Sequence, residues 1–469
     1  MKTSLRKLLS LMCVVAIGIT SMASCKKQPK SDETSSDEYE IEYIYESDGS
    51  TGSQGGTSTG SQGGTSTGSQ GGTSTGSQGA VTDLAKKYKG TTVNFAVWSD
   101  YNADAIKNFE KKYDIKVNVM NTAEEDYINT IAGKIASGNA PDVVFDNGMF
   151  PASLQILQPI TAADTINLSD PIWDKTYNDA FTFNGKVYEV ATVSGYWTEN
   201  SLFFYNKKLF KNAGVPTPED LYKKGNWNWD TLETLMKQLK EKLPTGIHPM
   251  QKGDDMQMAA NVGTGLYYYD HNSKTIKTGA GDSFFAEVMT RISKWLNTDH
   301  YFGGRFIEGN SAMCFGGLWG LRNNGAFAQM KDKNNIGFTF VPDYSSSKKA
   351  PSRSFSSRGY GICKGAKNTG GAGLFIRHYL DISNYNLSSE FISEAARDFF
   401  YEVSSKSASN VFMNVDRGVM VANGYKGSGL HDFAINIQPD QMSNQINSQK
   451  NAINSYVKKA NKIIENNTK

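Results

Sequence analysis

The chain has 469 residues, 38% of them hydrophobic and 20% charged, and a formal net charge of +2. Lys2, Arg6 and Lys7 lie at the amino end, and three lysines stand against eight carboxylates in residues 25–80, so about +4 is scattered from Val81 onward. That excludes the clustered basic face a nucleic-acid binder needs, and the length from Val81 onward is too great for one ordinary core, so two domains are expected.

The first residues read as a secretory signal peptide: a basic start, an apolar run from Leu8 to about Ile19, then Met22-Ala23-Ser24 before Cys25. The apolar run is shorter than the ~20 residues of a membrane span. With cysteine at the first mature position, the segment resembles a bacterial lipobox, departing only in Met22, where leucine is usual. The resemblance implies cleavage after residue 24 and lipidation (acylation) of Cys25, which anchors the chain on a membrane face. Residues 25–80 follow as a linker. An acidic stretch carries Tyr39, Tyr43 and Tyr45, and an octapeptide, Thr51 to Ser58, recurs from Thr59 and Thr67 and stops part-way after Thr75. Such a Gly/Ser/Thr/Gln run cannot bury enough apolar surface to order itself, and as a coil it reaches roughly 40 Å.

The globular part begins in clean alternation. Thr92–Trp98 reads as a strand, Ala103–Tyr113 as a helix with Ile106 and Phe109 on one face, and Ile115–Met120 as a second strand. Asp126–Ser137 reads as a helix carrying Ile128, Ile131 and Ile135, ended by Gly138, and Pro141–Phe145 as a third strand. This βαβαβ order implies an α/β fold with a parallel sheet, and ligands of such sheets sit beyond the strands' carboxyl ends. Here those ends are Trp98-Ser99-Asp100-Tyr101 and Asp146-Asn147-Gly148.

Further on stand Phe183-Asn184-Gly185-Lys186-Val187-Tyr188, the run Leu202 to Pro216, and Trp229-Asp230-Thr231-Leu232. Then come Phe306 to Met313, Gly317-Leu318-Trp319, Arg358 to Ile362 and Lys364 to Asn368. This ordered set, from Thr92 to about Leu380, resembles the family 1 extracellular solute-binding proteins of ABC importers, the maltodextrin-binding type; beyond Leu380 the likeness is only generic. One departure is Glu189, where the family often has proline or a small apolar residue. The resemblance implies a two-lobed periplasmic-binding-protein-like fold with an interlobe cleft and crossing hinge strands. Residues 81–196 with about 358–415 would form lobe 1, and about 201–355 with about 416–469 lobe 2. It further implies an oligosaccharide or other small polar solute as ligand, the transmembrane subunits of an ABC permease as partner, no cofactor, no nucleic acid and a monomer.

Aromatic rings that stack on sugar C–H faces and fixed polar groups that meet hydroxyls are the chemistry such a cleft needs. Trp98 is a core ring or a cleft ring. Asp100, Asn102 and Asp104 imitate a calcium loop, but Ala105 replaces its turn glycine and Lys111 its chelating glutamate. They read as helix caps, with Asp100 and Tyr101 near enough for solute. Asp146 and Asn147 serve a turn or the ligand. Tyr196, Trp197 and Glu199 fall at the family's first hinge, and Trp319 matches a tryptophan that often stacks on sugar. Arg322 is a ligand contact or a solvated helix end, and Arg358 and Tyr360 approach the second crossing strand. Trp229 and Trp295 read as packed helix residues, and Tyr267–Tyr269 as a hairpin strand. Cys314 and Cys363 are two buried thiols or a disulfide.

Two other classes compete with the receptor. A glycoside hydrolase needs two carboxylates roughly 5–10 Å apart across the cleft. No Gly-x-Ser-x-Gly elbow, His-Glu-x-x-His or phosphate-cradling loop is present, and the five histidines lack metal-ligand spacing. A surface carbohydrate-binding or sensing module would use the same cleft and differ only in its partner.

Overall fold

The computed structural model describes residues 84–98, 101–123, 126–192, 202–253, 255–323, 326–351, 353–381, 391–405, 411–424 and 437–469. All lie within one compact unit, residues 72–469. The alternating start of the globular part is realised. Strand Thr92–Val97 pairs in parallel with both Lys116–Asn121 and Val143–Phe145. Helix Ala103–Tyr113 begins where Asn102 Oδ1 accepts the Ala105 N–H at 2.9 Å, and it buries Ala105, Ile106 and Phe109. It ends at Asp114, whose left-handed backbone (φ 53) turns the chain into the second strand. Helix Tyr127–Ala136 buries Ile128 and Ile131 and stops before Gly138, which has φ 74.

Three larger sheets organise the rest. The first has the order 116–121, 92–97, 143–145, 360–363, 157–158, with strand Tyr360–Cys363 antiparallel to both neighbours. In the second, Leu202–Asn206 lies between Ile336–Phe340 and Ser311–Gly316, antiparallel to each, with His248–Met250 parallel at the edge. The third joins hairpin Tyr267–Asp270 and Thr275–Thr278 to Val411–Asn414 and Arg353–Phe355. The hairpin expected at Tyr267–Tyr269 is therefore present. Trp229 and Trp295 are packed residues as well, both fully buried with ring centroids 4.9 Å apart. Cys314 and Cys363 are buried in separate core clusters and form no disulfide.

The region after Leu380 ties the sheets together. Helix Met442–Asn467 lies along the hairpin, where Asn461 bonds both the N–H and the carbonyl of Ile276 at 2.7 and 3.0 Å. Its far end meets the first sheet's side of the molecule, for Asn467 Oδ1 accepts from Lys364 Nζ at 2.7 Å. Helix Asp416–Ala422 approaches more closely still. A Cβ on Gly418 would sit 1.7 Å from the Phe150 carbonyl oxygen, so only glycine permits that contact. No helix among the described residues is long and apolar enough to cross a membrane.

Candidate functional site

The carboxyl ends of the first sheet's central strands hold the densest set of expected residues. Trp98 follows strand Thr92–Val97, half-buried, and its indole N–H is buried with no acceptor among the described residues. A buried polar group left unmatched costs free energy unless another partner supplies the bond. Asn147, after strand Val143–Phe145, is 5% exposed. Gly148 holds φ 79 and donates its N–H to the Ser357 carbonyl at 2.6 Å, which fixes the loop that presents Asn147.

Sequence reasoning missed Arg417. Its guanidinium lies over the Trp98 ring, 4.4 Å from the centroid, and its Cδ lies 3.4 Å from where a Gly148 Cβ would stand. It comes from the far end of the chain, delivered by the close packing of Gly418 on Phe150. The only sequence signal was a strand, Val411–Asn414, running straight into a helix, which places the helix's first residues at a strand end.

A second group surrounds the Tyr379 hydroxyl, also unanticipated. That hydroxyl accepts the Asn102 N–H at 2.8 Å. Burial drives its pKa up to about 12, opposed by the Asn102 bond, the positive charge of Arg322 and a bond with Tyr360. Arg322 is only 3% exposed, its backbone bridged to Phe391, so the solvated reading of this arginine is corrected. Tyr101 stands 41% exposed beside the group. Tyr360 is 8% exposed and stacked on Phe145 at 4.7 Å, with Phe95 at 6.0 Å, in the first sheet's core.

The remaining expected residues are dispersed. Arg358 is half-buried and donates its backbone N–H to the Tyr177 hydroxyl at 3.0 Å. Trp319 is half-buried in the turn Leu318–Leu321, 5.2 Å from the Phe327 ring. Asp146 is buried beneath the loop, accepting from Met149 N–H and the Ser153 hydroxyl, each at 2.6 Å. Asp100, Tyr196, Trp197, Glu199 and Cys25 lie outside the described residues. Asn102 caps the helix as expected, and Asp104 sits in its first turn. Among the described residues no group of three or more His, Cys, Asp or Glu side chains is placed to hold a metal ion.

Residues 90–382 match the bacterial extracellular solute-binding protein family. No curated protein matches the chain by sequence. Solved structures do match its fold. An ABC transporter associated binding protein from B. animalis subsp. lactis, in complex with beta-1,6-galactobiose, superposes with TM-score 0.56 at 17% identity, over 78% of this chain and 97% of its own. An ABC substrate-binding protein from Listeria monocytogenes, in complex with cycloalternan, gives 0.54 at 18% over 80% and 99%. An extracellular solute-binding protein from Staphylococcus aureus, in complex with maltose, gives 0.52 at 16% over 78% and 98%.

Proposed function

Because the chain belongs to the bacterial extracellular solute-binding protein family, we propose that it is a receptor for a carbohydrate, an oligosaccharide, which it delivers to the transmembrane subunits of an ABC permease. The family places it outside the cytoplasm, and the fold is the two-lobed one of the periplasmic binding proteins. The observation that supports the carbohydrate reading is the half-buried Trp98 indole, whose buried N–H has no acceptor among the described residues, with Asn147 at the end of the neighbouring strand. Asn147 adds a side-chain amide and Trp98 an aromatic face. Hydroxyl groups match the first and a pyranose C–H face the second.

Delivery requires the solute to favour a closed arrangement by touching both lobes. On this reading Trp319 and Arg322, which follow a strand of the second sheet, and Trp98 and Asn147, which follow strands of the first, supply the contacts from the two lobes. Lipidation at Cys25 holds the mature chain on the extracytoplasmic face of the membrane, with residues 25–80 as tether. The protein carries out no chemistry on the sugar.

A thermal-shift screen of the full chain against oligosaccharides, amino acids and polyamines tests this. An oligosaccharide that raises Tm in step with its concentration, and is recovered intact, is the expected result. A shift from amino acids or polyamines alone overturns the carbohydrate reading, and a cleaved sugar overturns the receptor reading.

A further inference from the structure

Beneath the site loop lie two buried carboxyl groups. Asp146 is 1% exposed and Glu189 0%. The Ser153 hydroxyl stands 2.6 Å from Asp146 Oδ2 and 3.3 Å from Glu189 Oε1. It has one proton and can satisfy only one of them. Glu189 Oε2 accepts from the Tyr177 hydroxyl at 2.9 Å, and neither carboxyl has an ion-pair partner among the described residues. Two carboxylates this close in a dry core cannot both ionise.

We propose that Asp146 and Glu189 share one proton, and that this acid pair is the strut holding the Asn147 loop against the two segments through which the chain leaves and re-enters the first sheet. Glu189 is then a positioning residue for solute binding, and the binding arm of the test rests on the receptor reading above.

The connections are short and specific. Asp146 accepts the Met149 N–H, which closes the loop around Asn147, and its own N–H donates to the Gly359 carbonyl at 2.8 Å. Glu189 adjoins Val190, which exchanges two backbone bonds with Tyr360, each 3.0 Å. The Tyr177 hydroxyl, donating to Glu189, accepts the Arg358 N–H from the second segment. Gly359 leaves room for all of this, since a Cβ there would lie 2.6 Å from the Tyr177 oxygen and 2.8 Å from Glu189 Oε2. Loop and both segments therefore converge on one carboxyl pair.

The other groups facing the pair cannot replace the proton. Ser153 comes from the turn Ala152–Gln155, Tyr177 from helix Lys175–Ala180, Tyr127 from helix Tyr127–Ala136 and Tyr269 from the hairpin; Ser357 and Arg358 come from the second segment. The phenols of Tyr127, Tyr177 and Tyr269 are all driven up by burial and stay neutral. Arg358 meets the network through its backbone amide. Burial first, then the charge of Asp146, pushes the Glu189 carboxyl well above the ordinary range. Burial likewise raises Asp146, against the bonds it accepts from Glu189 and Ser153.

The test compares wild type with Glu189→Gln, whose amide supplies the strut's hydrogen permanently, and with Glu189→Ala, which removes it. Infrared difference spectra of the full chain at neutral pH should show a protonated carboxyl in wild type that Glu189→Gln lacks. A group whose folded pKa is raised stabilises fully below its unfolded pKa, near 4.3, and loses that stability as pH rises through the folded value. The Tm of wild type should therefore fall relative to Glu189→Gln as pH climbs from about 5, while Glu189→Ala is less stable than wild type at low pH. Affinity for any solute found should weaken with rising pH in wild type and stay level in Glu189→Gln. Absence of the carboxyl band, or parallel Tm curves for wild type and Glu189→Gln, overturns the shared proton. A band with identical affinity profiles overturns the positioning role. Should no carbohydrate bind, spectra and Tm still decide the strut.

Discussion

The Trp98 indole N–H is buried with no acceptor among the described residues, which is the wrong place for a donor unless something arrives to complete it, and Asn147, at 5% exposure, ends the neighbouring strand. Solvent-exposed turn residues carry no such demand, and Tyr101, at 41% exposure, illustrates the difference. If Asn147 contacts the solute as proposed, replacing it with alanine should remove one or two hydrogen bonds to solute while leaving the fold intact. Since such a bond is worth about 0.5–1.5 kcal/mol net, the expected loss is roughly threefold to tenfold in affinity per bond, with Tm unchanged. Calorimetric titration beside a melting curve checks both halves. An Asn147→Ala variant that melts earlier, with affinity intact, would make the residue structural.

At the scale of elements, helix Asp416–Ala422 carries the site's unexpected arginine, and Gly418 sets its distance from Phe150. Alanine at 418 must push the helix off the Phe150 carbonyl. Overpacking of this kind costs about 1–3 kcal/mol, and here it also lifts the Arg417 guanidinium from Trp98. Denaturant unfolding should show the lost stability, and titration a weaker solute. Arg417→Met, which keeps much of the stem, should weaken binding with a smaller loss of stability. How much was legible follows from the same geometry. The first three strands and two helices were readable because their apolar residues recur locally, at Ile106 and Phe109 or at Ile128 and Ile131. Trp98 and Asn147 were readable as strand ends. Arg417 and Tyr379 were not, because each reaches the site from a helix whose own periodicity describes only its packing face. Arg322 admitted a solvated reading because the segment its backbone bridges, at Phe391, is distant in sequence. Glu189 was visible only as a departure, since a buried acid is explained by its partner and Asp146 read as a turn or ligand residue.

For the whole molecule, anchoring and binding are assigned to separate stretches of chain. In the proposed arrangement the tether is residues 25–80, and every side chain of the candidate site lies beyond residue 97. Cys25→Ser should therefore release the protein from the membrane fraction while leaving solute affinity within experimental error; a change in affinity would tie the tether to the cleft. The distribution of indoles has an optical consequence. Trp173, Trp227, Trp229 and Trp295 are at most 5% exposed, sealed in the cores, whereas Trp98 and Trp319 are half-buried at the proposed contact surface. The sealed four are expected to supply a steady background emission, with Trp98 and Trp319 as the proposed reporters and the seventh tryptophan, Trp197, outside the described residues. The unlabelled protein should thus report its own occupancy as a change in intrinsic fluorescence, one that shrinks when Trp98 is replaced by phenylalanine.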